Sequence, residues 1–240
     1  MNWFENWFDS PYYHTLYKNR DEEEAQVFIN NLITYLKIPK GSKLIDIACG
    51  KGRHSKYFNQ KGMHVVGIDL SKNSIATAKQ FENSSLLFDI HDMRRVYKEN
   101  HFDIATNLFT SFGYFNSKNE DQEAIKAMGQ NLKSKGLLII DFMNVKKIIS
   151  NLVLTEKKLI DGITFNIKRS VQNNHIIKDI EVIDNNKTQQ FQEKVKAITL
   201  VYFTELLTKS GLEIINIFGN YTLEDFNSLT SNRLILICNK

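Results

Sequence analysis

The chain has 240 residues, enough to bury one full core with room for a small insertion. Its net charge of +4 comes from 31 Lys and Arg against 27 Asp and Glu, with no basic run longer than KNR at Lys18 or MRR at Met93, which gives no support to a nucleic-acid-binding surface. Two cysteines without a CxxC partner or zinc spacing point away from a disulfide framework and a metal site, and toward a reducing, cytoplasmic setting.

The N-terminus, MNWFENWFDSPYYH, is aromatic but acidic, unlike a signal or transit peptide, and no apolar run reaches the roughly 18 residues a membrane span needs. Trp3, Phe4, Trp7 and Phe8 suit packing of a first helix, a lid, a dimer contact or a membrane-surface anchor; simple packing asks least of them. EEEAQVFINNLITYL, Glu22 to Leu36, spaces Val27, Phe28, Leu32, Ile33 and Leu36 as a helix, and its acidic start complements the helix dipole. Pro39 and Gly41 close it.

From Lys43 the chain alternates. KLIDIA reads as a strand, Arg53 to Gln60 as a helix ended by Gly62, and HVVGIDL as a second strand. SKNSIATAKQF follows as a helix capped by Ser71, then SLLFDI as a third strand. FDIATNLF is a fourth strand, EDQEAIKAMGQNLKS a helix closed by Gly136, and LLIIDFM a fifth strand. Such alternation implies a mostly parallel sheet with helices on both faces. Between Lys157 and Thr199 the period becomes two, broken at Asn173-Asn174 and Asn185-Asn186, as in a three-stranded antiparallel meander. YFTELLTKSG resumes as a helix, and LEIINIFGNY and RLILICN are the last two strands, making seven in the main sheet. The expected architecture is a Rossmann-like α/β fold. It divides into a helical lid over 1–40, a core over 41–150, an antiparallel β insertion over 151–199 and a completing segment over 200–240.

Chemistry concentrates in LIDIACGKGRHS, where a strand runs into a turn with Gly50 and Gly52. Glycines there let backbone approach a ligand, and amides opening the next helix can face it. A dinucleotide turn wants a third glycine, and Ser55 stands in its place. Asp69, ending the second strand, can accept both hydroxyls of a ribose; Asp92 can accept from an adenine amino group, with Met93 against the ring.

DIACGKGRHS, GIDLS, DIHDMR, FDIATNLFTSFGYF and LLIIDF, in this order, resemble the class I S-adenosylmethionine-dependent methyltransferases, in particular the small-molecule type with an N-terminal lid and a β insertion. The resemblance covers roughly Lys43 to Asn144 and resumes at Tyr202. It implies S-adenosyl-L-methionine as cofactor, leaving as S-adenosyl-L-homocysteine. Asp46, Ala48, Gly50 and Gly52 would border its methionyl part and ribose, Asp69 would hold the ribose, and Leu70 would pack on the adenine. Asp92 and the Met93 backbone would read the adenine edge. Asn107 and Phe109 would lie near the amino acid moiety, with Tyr17 and Arg20 in the lid and Arg20 on the carboxylate.

The fourth strand ends NLFT rather than N/D-P-P-Y/F, which argues against methylation of a nucleic-acid base. The reaction implied is an in-line displacement onto N or O of a small-molecule acceptor, with His54, His91, Tyr13 and Tyr114 as candidates for proton handling. No nucleic-acid or membrane partner is expected, and a homodimer stays open. The competing readings are a nucleic-acid or protein methyltransferase, a nicotinamide-dependent oxidoreductase, and a non-catalytic binding protein of the same fold.

Overall fold

The computed structural model describes residues 7–18, 22–185 and 187–240. Trp3, Phe4, Arg20 and Asn186 lie outside these residues. In chain order the elements are α1 (Pro11–Leu16), α2 (Glu22–Leu36), β1 (Lys43–Ile47), α3 (Arg53–Gln60), β2 (His64–Asp69), α4 (Lys72–Ala78), β3 (Leu86–Ile90), β4 (Phe102–Asn107) and α5 (Lys118–Asn131). They continue as β5 (Leu132–Met143), α6 (Val145–Ser150), β6 (Thr155–Ile160), β7 (Ile163–Gln172), β8 (His175–Asp184), β9 (Lys187–Lys196), α7 (Leu200–Lys209), β10 (Glu213–Phe218) and β11 (Arg233–Asn239).

The alternating strands form one seven-stranded sheet in the order β10-β11-β5-β4-β1-β2-β3. Pairings among β1 to β5 are parallel, while β11 runs antiparallel to both β5 and β10. Alternate residues of each strand face opposite helix layers. Ile45 and Ile47 of β1 pack with Ile125 of α5 and Phe203 of α7, whereas Leu44 packs with Phe28 of α2, Phe58 of α3 and Ile75 of α4. On α2 the inward face is Ala25, Phe28, Ile29 and Leu32; Val27 is exposed, one step around the helix from that stripe.

Phe88 of β3 shows how tightly the first turn is packed. A Cβ at Gly52 or Gly67 would come within 2.6 Å of its ring, and Gly52 also has φ +79°. These two glycines make room for an aromatic ring between α3, β2 and β3.

Three boundaries differ from the sequence reading. The helix expected to run to Gly136 stops at Asn131, whose buried side chain carbonyl accepts from the amides of Tyr97 and Lys98 at 2.9 and 2.8 Å. Leu132 already belongs to β5. Strand β4 ends at Asn107, so Leu108 and Phe109 open a loop. The meander has four strands, in the order β6-β7-β8-β9, because TEKKLI pairs with β7 across a turn at Asp161-Gly162. Its alternating charges and edge position hid it: Leu159 is 72% exposed.

The N-terminal segment packs on this second sheet. Trp7 and Leu16 are buried against Phe165, Ile167, Ile180 and Val182, forming a core separate from the two flanking the main sheet. No described helix is long and apolar enough to cross a membrane.

Candidate functional site

In an open parallel sheet the binding crevice lies beyond the strand carboxyl ends, where strand order reverses. Here β1 is flanked by β2 on one side and β4 on the other, so the crevice opens above β1. A cavity of about 570 Å³ occupies that position. It is walled by the loop after β1 (Ala48 to Lys51, Arg53, His54), Asp69 to Ser71 after β2, His91 to Arg94 after β3, and Leu108 to Ser111 after β4. Phe8, Tyr13, His14 and Tyr17 of the N-terminal segment and Glu193 of β9 close it from above.

The first turn is built for backbone approach. Ala48, Gly50 and Gly52 all have left-handed backbone, at φ 61°, 55° and 79°. The Gly50 amide donates to Asp69 Oδ2 and the Ser71 amide to Oδ1, both at 2.8 Å. Each oxygen keeps a second lone pair for a hydroxyl. Burial raises the Asp69 pKa, and the two amides pull it back down. Ser71 accepts from Ser74 as the cap of α4 and donates to Asp9 of the N-terminal segment.

Of the residues expected at the cofactor, Tyr17, Ala48, Gly50, Asp69, Leu70, Asp92, Met93 and Phe109 line the cavity. Three others lie beneath it instead. Asp46 is fully buried and accepts from Ser55 Oγ at 2.6 Å and Thr106 Oγ1 at 3.0 Å. Burial pushes its pKa up to about 6, against the pull of those two hydroxyls. Gly52 serves packing, and Asn107 ties β4 to β1 by donating to the Ile47 carbonyl at 3.0 Å. Asp46 and Asn107 lie at the ends of strands β1 and β4, with their side chains bonded in the layer below the crevice.

Asp92 faces the cavity, but its two oxygens are gripped by Arg94 Nε and Nη2, with Arg94 in turn bonded to Glu120. Tyr17 carries a different load from the one expected of a cofactor lid: its hydroxyl donates to Glu193 and accepts from Lys178. Trp7 Nε1 donates to the same carboxylate at 2.7 Å. Glu193 thus fastens the N-terminal segment to the insertion.

The four proton-handling candidates all reach the cavity wall. His91 Nε2 donates to the Arg95 carbonyl at 3.0 Å, leaving Nδ1 as its basic atom. His54 lies with its ring centroid 6.2 Å from that of Phe109. Tyr114 donates to the Thr110 carbonyl at 2.8 Å, and Tyr13 sits among the rings of Trp7, Phe8 and Tyr17. The aromatic run after β4 divides: Phe109, Tyr114 and Phe115 line the cavity, while Phe112 packs on Phe203 in the core. Arg53 and Glu193 also line it, and sequence reasoning passed over both. Arg53 had a signal, since it opens the helix after the glycine turn; Glu193 had none, being one charge among many on β9.

A seven-stranded sheet parallel but for β11, with helices on both faces, is the fold shared by S-adenosylmethionine-dependent methyltransferases. Residues 45–140 match the family model described as "Methyltransferase domain". The chain is thus similar over that stretch to a methyltransferase domain.

It is 34% identical over 114 residues to a putative methyltransferase, YqeM, of Bacillus subtilis, covering 46% of each chain. It is 26% identical over 105 residues, 44% of each chain, to the dTDP-3-amino-3,4,6-trideoxy-alpha-D-glucopyranose N,N-dimethyltransferase of Streptomyces venezuelae. These matches span less than half the length of either relative. The fold is similar over its whole extent to a S-adenosylmethionine-dependent methyltransferase from Clostridium acetobutylicum, with a TM-score of 0.80, 18% identity and 95% of each chain covered.

Proposed function

We propose that this chain is an enzyme that binds S-adenosylmethionine in the cavity above β1 and directs its methyl group to N or O of a small-molecule acceptor. The carrying observation is the pairing of the Gly50 amide with Asp69 inside a cavity closed by Tyr13, Tyr17 and Glu193. When bound, the donor supplies a methyl carbon already activated by a positively charged sulfur. The chain then has to hold, align and desolvate, work that can be worth about 7–11 kcal/mol.

In this reading Ala48 and Gly50 approach the methionyl part, Asp69 takes the ribose hydroxyls, and Leu70 and Met93 flank the adenine. Arg53 is added as a partner for the donor carboxylate, since Arg20 lies outside the described residues. Phe109 walls the donor end. The acceptor enters between the N-terminal aromatics and Tyr114, with His54 or His91 receiving its proton. The whole chain acts as one unit, its insertion and lid covering a single site. The amino-sugar N,N-dimethyltransferase of Streptomyces venezuelae makes a nucleotide-linked amino sugar the first acceptor to test.

Thermal shift with S-adenosylmethionine, S-adenosylhomocysteine, NAD and NADP tests the donor. Stabilisation by the first two is expected, and stabilisation by the nicotinamides alone would overturn it. Asp69→Ala should weaken S-adenosylhomocysteine binding at least tenfold, about 1.4 kcal/mol, by calorimetry; unchanged affinity would place the ribose elsewhere.

A further inference from the structure

The loop after β4 begins with Phe109 at φ 61° and Thr110 at φ 63°. Left-handed backbone is rare for an aromatic residue and rarer for a β-branched one, and two in succession need outside support. The support comes from one residue of β5. The Phe109 amide donates to Asp141 Oδ2 and the Thr110 amide to the Asp141 carbonyl, both at 2.9 Å.

Asp141 is fully buried and held by two residues from the end of the chain. Arg233 Nε donates to its Oδ1 at 2.7 Å and Tyr221 Oη to its Oδ2 at 3.0 Å. Arg233 also uses the other arm of its fork, Nη2, to reach Thr110 Oγ1 at 3.0 Å. Its guanidinium lies 5.6 Å from the ring centroids of both Phe109 and Tyr221. Those rings are near parallel, with centroids 6.5 Å apart.

Burial of an ion pair is in itself a weak source of stability. What this one holds is geometry: Phe109 and Thr110 line the cavity, and Asp141, Tyr221 and Arg233 stand behind them. We propose that Arg233, acting through Asp141 and together with Tyr221, is a positioning residue that sets the Phe109–Thr110 wall against the donor end of the site. This rests on the reading of the cavity as the donor site.

The test is calorimetric binding of S-adenosylhomocysteine to folded Arg233→Lys and Tyr221→Phe proteins, well below their unfolding temperatures. Lysine keeps the charge but cannot span Asp141 and Thr110 with one planar fork. Affinity should fall at least tenfold in Arg233→Lys and about threefold in Tyr221→Phe. Adding Thr110→Gly to Arg233→Lys should recover at least threefold, because glycine takes left-handed backbone without support. Binding within twofold of the parent in both single variants, or no recovery by glycine, would overturn the proposal. Should Arg233→Lys not fold, Tyr221→Phe decides, since it keeps the ring against Phe28. A parent protein that fails to bind S-adenosylhomocysteine would instead overturn the donor-site reading.

Discussion

Ala48 shows what the first turn costs and why. It takes left-handed backbone at φ 61° without being glycine. That conformation costs an L-residue about 1–2 kcal/mol, against about 0.5–1 kcal/mol of extra chain entropy for glycine. Ala48→Gly should therefore raise stability by about 0.5–1 kcal/mol in urea unfolding; a loss would mean the methyl group packs. Asp46 makes a second residue-scale prediction, from its pKa of about 6 in the fold against an ordinary 3.8. Because the folded value is the higher, the folded state binds more protons between the two. Its contribution is most favourable below pH 4 and is lost as pH rises through about 6. The difference amounts to about 3 kcal/mol at most. Asp46→Asn should thus flatten the stability profile between pH 4 and 6.5 relative to the parent, which urea titrations at several pH values would show.

Glu193 governs how the elements above the site are joined. Trp7 and Tyr17 of the N-terminal segment and Lys178 of β8 meet its carboxylate, and burial lowers the Lys178 pKa against the pull of Glu193. Glu193→Ala should release the N-terminal segment from the insertion. Amide exchange over residues 7–18 should quicken at least tenfold, while exchange in β1, β4 and β5 stays as it was. Uniform change across all elements would mean that Glu193 serves global stability instead. At this scale the sequence also misled at α5. KAMGQNLKSKG reads as helix up to Gly136, yet the helix ends at Asn131, whose side chain accepts from Tyr97 and Lys98 of another loop.

Across the whole molecule, ligand binding and folding are linked. A ligand at one hundred times its Kd adds about 2.7 kcal/mol to stability. For a chain of 240 residues this should raise the melting temperature by roughly 5–10 °C. S-adenosylhomocysteine should produce a shift of that size in a thermal scan, and the Asp69→Ala protein should need at least tenfold more ligand to match it. The main sheet has its two helix layers, while among the described residues the insertion packs partly on the N-terminal segment and partly, through Ile176 and Val195, into the main core.

The order of strands and helices, the cap at Ser71 and the Asn173-Asn174 hairpin were legible in the sequence. Each depends on residues a few positions apart, where periodicity and turn chemistry operate. Tertiary structure decided which of the legible residues face the cavity. Asp46 and Asn107 lie below it because the strand pleat turns their side chains inward, and Gly52 because it packs against Phe88. It also brought together what no local pattern links: Trp7 with Glu193, 186 positions away, and Asp141 with Arg233, 92 positions away. Contacts of that kind follow from sheet order and layer packing, so residues that read as ordinary charges in the chain become the supports of its site.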